Sequence, residues 1–201
     1  SGAVLNAINT RLDADTISYI LDHGEAKALI VDAELAPQAA QAIAGRDILI
    51  IDIADLQDTP NPNRIGTIDY ADFIAQGDPN AQWHMPTDEW DAIALNYTSG
   101  STGRPKGVVY HHRGAHLMAM STIADWGLPR HVKYLYVVPL FHCNGWCHGW
   151  AMAALAGTIV CTRNVTPAVI YDAIHDHKIT HFGGAPIVLG MILNADDADR
   201  K

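Results

Sequence analysis

The chain has 201 residues, 49% apolar and 17% charged, with 13 basic against 22 acidic side chains for a formal net charge of -9. A chain of this length supports one sizeable core burying roughly 70% of its unfolded surface, and the acidic balance argues against a dedicated nucleic-acid binder. No apolar run approaches the ~18 residues that span a bilayer, no charged-then-apolar leader precedes a cleavage site, and an odd count of three cysteines makes no disulfide framework. The expectation is a cytoplasmic enzyme with reduced thiols.

Apolar runs and helix-like stretches alternate along the chain. Ala3 to Ile8 is a short apolar run, and Asp13-Ala14-Asp15 offers a cap for a helix over Thr16 to His23. Ala28 to Val31 reads as a buried strand, Leu35 to Ala44 as an alanine-rich helix and Ile48 to Ile51 as a strand. Asp58 to Asn63 is a loop, Tyr70 to Ala75 a helix ending at Gly77, and Gly77 to Pro86 a break in which Trp83 packs on the surface. A subdomain break near 78–90 is placed here. Then come a strand over Ala92 to Tyr97, a glycine-rich loop, a helix near Gly114 to Ala124, a strand over Tyr134 to Val138 and a polar turn at Pro139 to Gly145. The rest reads as a helix across Trp146 to Leu155, strand Thr158 to Cys161, helix Pro167 to His177, strand Thr180 to Phe182 and helix Ile187 to Leu193. Such βα alternation implies a three-layer α/β fold, a mostly parallel sheet with flanking helices, whose ligands bind at the carboxyl ends of strands. The glycine-rich loop and the polar turn both follow strand ends, so they can face one cleft.

Thr98 to Gly107 concentrates the chemistry. Its ten residues hold four hydroxyls (Thr98, Ser99, Ser101, Thr102), three glycines (Gly100, Gly103, Gly107) and Lys106. Glycines let the backbone approach a polyphosphate, hydroxyls and amides donate to it, and the lysine supplies mobile positive charge. The order G-x-x-G-x-x-K-G is not the G-x-x-x-x-G-K-[ST] of common P-loops. A solvated surface turn is the plainer alternative.

The second cluster is Pro139-Leu140-Phe141-His142-Cys143-Asn144-Gly145-Trp146-Cys147-His148. Four potential metal ligands fall within seven positions, yet adjacent His-Cys and Cys-His pairs converge poorly on one tetrahedral ion. His111, His112 and His116 form another cluster open to the same metal reading. Trp146 and Trp150 sit four apart, the spacing of core packing on a helix.

Every position from Thr98 to Gly107 fits T-[ST]-G-[ST]-T-G-x-P-K-G, and the chain resembles the AMP-forming adenylate-forming superfamily, which includes acyl-CoA synthetases. P-x-F-H-x-x-G matches that superfamily's next motif. F-H-C-N-G-W-C with the downstream T-H-F-G-G-A-P-I-V-L looks like the branch acting on short and medium-chain carboxylates, including methylmercaptopropionate-CoA ligases.

The resemblance implies an enzyme using ATP, Mg2+ and coenzyme A, with Thr98, Ser99, Gly100, Ser101, Thr102, Gly103 and Lys106 at the phosphates. It places His142 where the carboxylate meets the α-phosphate, Trp146 on the acyl wall, and Gly184, in the turn Gly183-Gly184-Ala185-Pro186, along the acyl channel. His142 and Lys106 are the catalytic candidates. It covers essentially all 201 residues while family members are far longer, so the chain is expected to be an internal piece of an AMP-binding domain, inactive alone and prone to self-association through exposed edges. Two readings stand against it: a non-catalytic α/β ligand-binding or interaction domain, and a zinc module around Cys143 and Cys147.

Overall fold

The computed structural model describes residues 2–55, 62–99 and 103–200. The chain divides into two compact units, Ser1–Met85 with Tyr97–Val108, and Pro86–Asn96 with Val109–Lys201. The loop expected from Asp58 to Asn63 lies largely outside the described residues.

The first unit carries β1 (Leu5–Asn6), α1 (Ala14–His23), β2 (Ala28–Asp32), α2 (Ala36–Ala42), β3 (Leu49–Ile53), β4 (Ile68–Asp69) and α3 (Tyr70–Ala75). Asp13 starts α1 as its sequence suggests: the carboxylate accepts from the Thr16 amide at 2.7 Å, and that bond lowers the Asp13 pKa. β2, β3 and β4 form a parallel sheet in that order. Ile17 and Leu21 of α1 pack with Ala42 of α2, and Val31, Ala39 and Ile50 form the adjoining core. Arg46 fastens the two helices, donating to Ser18 O at 3.0 Å and Asp22 Oδ2 at 2.8 Å while its Nε caps Ala42 O. Trp83 is 91% exposed, so the packing expected of it is not found.

Two strands run from one unit's residues into the other's: β5 (Ala92–Thr98) and β6 (Lys106–His111), neighbours in one small sheet. β6 corrects the sequence reading, in which the loop led toward a helix. Val108, Val109 and Tyr110 are β-formers, and α4 (His112–Asp125) begins only after them.

The second unit is a helix–sheet–helix stack. It contains β7 (Lys133–Tyr136), α5 (His148–Ala154), β8 (Thr158–Cys161), α6 (Pro167–His177), β9 (His181–Phe182) and α7 (Pro186–Leu193). The sheet order is β8-β7-β9, all parallel, so β7 is central. Side chains alternate across it. Tyr134 packs with Ala119 of α4 and Ala151 and Met152 of α5, while Leu135 packs with Ile170 of α6 and with Val188 and Ile192 of α7. The expected parallel α/β class is therefore present, and the described residues form three-stranded sheets.

Between β7 and α5 the chain departs from the expected helix over Trp146 to Leu155. Cys143, Asn144, Gly145, Trp146 and Cys147 all have φ between +48° and +60°, a left-handed turn, and α5 starts only at His148. Cys143, Trp146 and Cys147 each cost about 1–2 kcal/mol in this conformation, which Gly145 and Asn144 tolerate more readily. The Tyr136 hydroxyl, donating to Asn144 O at 3.1 Å and Gly145 O at 3.2 Å, helps offset that. Two residues earlier, Tyr134 accepts from the Gly183 amide at 3.0 Å and shares a hydrogen bond with His148 Nδ1. His148 is 2% exposed, and burial lowers its pKa from the ordinary 6.5.

Because the folded state holds His148 neutral, the unfolded chain takes up a proton first as pH falls through 6.5, and stability drops toward the lower folded-state pKa. Replacing His148 by Gln should flatten the wild-type loss of stability as pH falls below about 6.5; equal slopes in urea denaturation would exclude this contribution. At Gly145 a Cβ would sit 2.7 Å from Tyr136 Cζ, so Gly145→Ala should cost about 2 kcal/mol or more in the same measurement.

Candidate functional site

The glycine-rich loop leaves β5 at Thr98 and returns as β6 at Lys106. Gly100, Ser101 and Thr102 lie outside the described residues. Thr98, Ser99 and Lys106 are exposed, and Gly103 has φ +94° with open space at its Cβ position, a conformation that suits glycine.

Both flanks of the loop rest on α1. The Tyr97 hydroxyl is 2.8 Å from His23 Nδ1, with the rings edge to face at 5.7 Å. The Arg104 guanidinium lies 5.7 Å from the Tyr19 ring, and Tyr19 and His23 are themselves 5.3 Å apart. Burial and then the neighbouring Tyr19 raise the Tyr97 pKa, keeping that phenol protonated.

The second motif belongs to the second unit. Its turn is closed by the His142 amide on Pro139 O at 3.0 Å and the Gly145 amide on His142 O at 2.8 Å. His142 is exposed, its ring 4.7 Å from Phe141. Trp146 is half-buried in the left-handed turn, edge-on to His148 at 6.0 Å, so the expected helical pairing with Trp150 is not formed. Trp150 alone packs against the α4–α5 core. Gly184 is half-buried just before α7, its Cβ position 3.3 Å from Val188.

Asn96 ties the end of β5 to this motif. It is 3% exposed, and its amide nitrogen is 3.2 Å from Phe141 O and 3.4 Å from Leu140 O. Sequence reasoning passed over it, although an amide in the apolar run from Ala92 to Leu95 and beyond was a signal that something there needed a partner. Tyr110 on β6 was also missed; it hydrogen-bonds Cys143, and burial first, then that contact, pushes its phenol up to about 12.

Among the described residues no group of three or more His, Cys, Asp or Glu comes together to hold a metal. His148 is engaged with Tyr134, and burial pushes the Cys147 thiol up to about 11. His111 accepts from the Gly114 amide at 2.9 Å and stacks on Trp90 at 4.6 Å, which makes it the cap of α4. No helix among the described residues is long and apolar enough to cross a membrane.

The chain is 46% identical over 211 residues to the acetate/butyrate–CoA ligase AAE7, peroxisomal, of Arabidopsis thaliana, covering 98% of this chain and 37% of that protein. It is 43% identical over 207 residues to the 2-methylpropanoate–CoA ligase CCL4 of Humulus lupulus, covering 99% of this chain and 37% of that protein. It thus spans a little over a third of the curated relatives it matches. The inhibitor-bound N-terminal domain of FACL13 from Mycobacterium tuberculosis shares the fold, with a TM-score of 0.78 at 24% identity over 100% of this chain and 49% of that one. The profile of the AMP-binding enzyme family matches residues 1–201, and the chain belongs to that family.

Proposed function

We propose that the chain supplies the phosphate loop and part of the acyl wall of an AMP-forming acyl-CoA synthetase. A carboxylate attacks the α-phosphate of ATP, pyrophosphate leaves, and the coenzyme A thiolate then displaces AMP from the acyl-adenylate to give a thioester. Such displacement depends mainly on alignment and charge stabilisation. Thr98, Ser99, Ser101 and Thr102 donate hydroxyls to the departing pyrophosphate, Gly100 and Gly103 open the backbone to it, and Lys106 balances its charge. His142 stands at the carboxylate and α-phosphate, with Trp146 and Gly184 along the acyl path. Mg2+ would accompany the nucleotide and supply positive charge at its phosphates.

The observation that carries this reading is Asn96. Its amide nitrogen bonds Leu140 O and Phe141 O, the two carbonyls that precede His142, and Asn96 itself stands two residues before Thr98 in sequence. The names of the two relatives favour short acyl chains, acetate to butyrate and 2-methylpropanoate. Cytoplasmic residence belongs to the proposal, against the peroxisomal name of AAE7. So does self-association: Ile187, Leu189 and Leu193 of α7 are 73%, 44% and 76% exposed.

In the protein expressed from its whole gene, Lys106→Ala should slow ATP–pyrophosphate exchange with butyrate by about two orders of magnitude. Wild-type exchange equal to the variant's would sink the proposal, and ATP-independent ligand binding would replace it with a non-catalytic domain. Light scattering should show a species larger than the monomer; a stable monomer would remove the self-association.

A further inference from the structure

The α1 surface that meets both flanks of the loop has no part in the chemistry described above. Tyr97 immediately precedes Thr98, and Arg104 stands between Gly103 and Lys106. Each flank has a separate contact: a phenol–imidazole hydrogen bond at 2.8 Å on one side and a guanidinium over a ring at 5.7 Å on the other. The two receiving side chains, Tyr19 and His23, are one helical turn apart and touch each other at 5.3 Å. Two stems pinned to one rigid helix define the span the intervening backbone must bridge. A loop that donates amides to phosphate gains from being held in that shape before the ligand arrives.

We infer that Tyr19 and His23 are positioning residues for the phosphate loop, acting through Arg104 and Tyr97 without touching the nucleotide. This rests on reading Thr98 to Gly107 as a phosphate loop. Loss of either anchor loosens one stem, which weakens ATP binding while leaving the carboxylate's own contacts alone. A guanidinium resting on an aromatic face needs the ring and not its hydroxyl, so phenylalanine can serve at position 19.

The test uses the protein expressed from its whole gene. Tyr19→Leu and His23→Ala should each raise the KM for ATP about three-fold, the fold-change expected from one exposed contact of this kind. The KM for butyrate should stay unchanged, and Tyr19→Phe should restore the wild-type value. Trypsin, which cuts after Lys106 but not between Arg104 and Pro105, should cleave both loosened variants faster than wild type without nucleotide present. Unchanged cleavage in both variants overturns the inference, as does a parallel rise of both KM values, which marks general destabilisation. If the Lys106→Ala control loses exchange while Tyr19→Leu and His23→Ala do not, the anchoring fails and the synthetase reading stands. If wild type uses no ATP, the synthetase reading fails and the cleavage rates still decide the anchoring.

Discussion

Two tyrosine hydroxyls on one face of β7 set the geometry of the second unit. Tyr134 and Tyr136 stand two residues apart and therefore point the same way, and each hydroxyl reaches a different segment. Tyr136 takes the carbonyls of Asn144 and Gly145; Tyr134 takes the Gly183 amide and the His148 ring. One central strand thus fixes the left-handed turn, the start of α5 and the glycine turn that opens α7. Their rings, 5.7 Å apart, fill the space between, while Leu135 between them serves the opposite face.

The left-handed turn explains why the proposed acyl-wall residues occur in so unusual a run. Reversing the backbone hand over five residues sends Trp146 away from the face a right-handed helix would give it and leaves His142 exposed. Strain of this sort persists where surrounding contacts over-determine it. Here the Tyr136 hydroxyl, the Tyr110–Cys143 contact and the close approach of Gly145 to the Tyr136 ring supply those contacts.

Most of the fold was legible because local and tertiary preferences agree. Thr158 to Cys161 and Pro167 to His177 have the bounds read from sequence, the latter since Thr166 caps and Pro167 fits the first helical position. Asp13 announced α1 in the same way. The failures came where tertiary contacts overrode pattern. The period joining Trp146 to Trp150 continues smoothly through Cys147, and only Asn144 and Gly145 hinted at positive φ. β6 was hidden because its first two residues, Lys106 and Gly107, belong to the loop motif. The loop's composition was plain, whereas Asn96 and the α1 anchors were not, because their partners lie 45 and 74 residues away in sequence.

The first unit is discontinuous: residues 97–108 complete it after 86–96 have gone to the second. During synthesis, residues 1–85 exist for a time without that closing segment. At ribosomal rates of about 5–20 residues per second, the remaining stretch to residue 108 takes roughly one to five seconds. For that interval the Tyr19 and His23 rings of α1 lack the Arg104 and Tyr97 side chains that meet them in the folded unit, so this face of the helix is completed late.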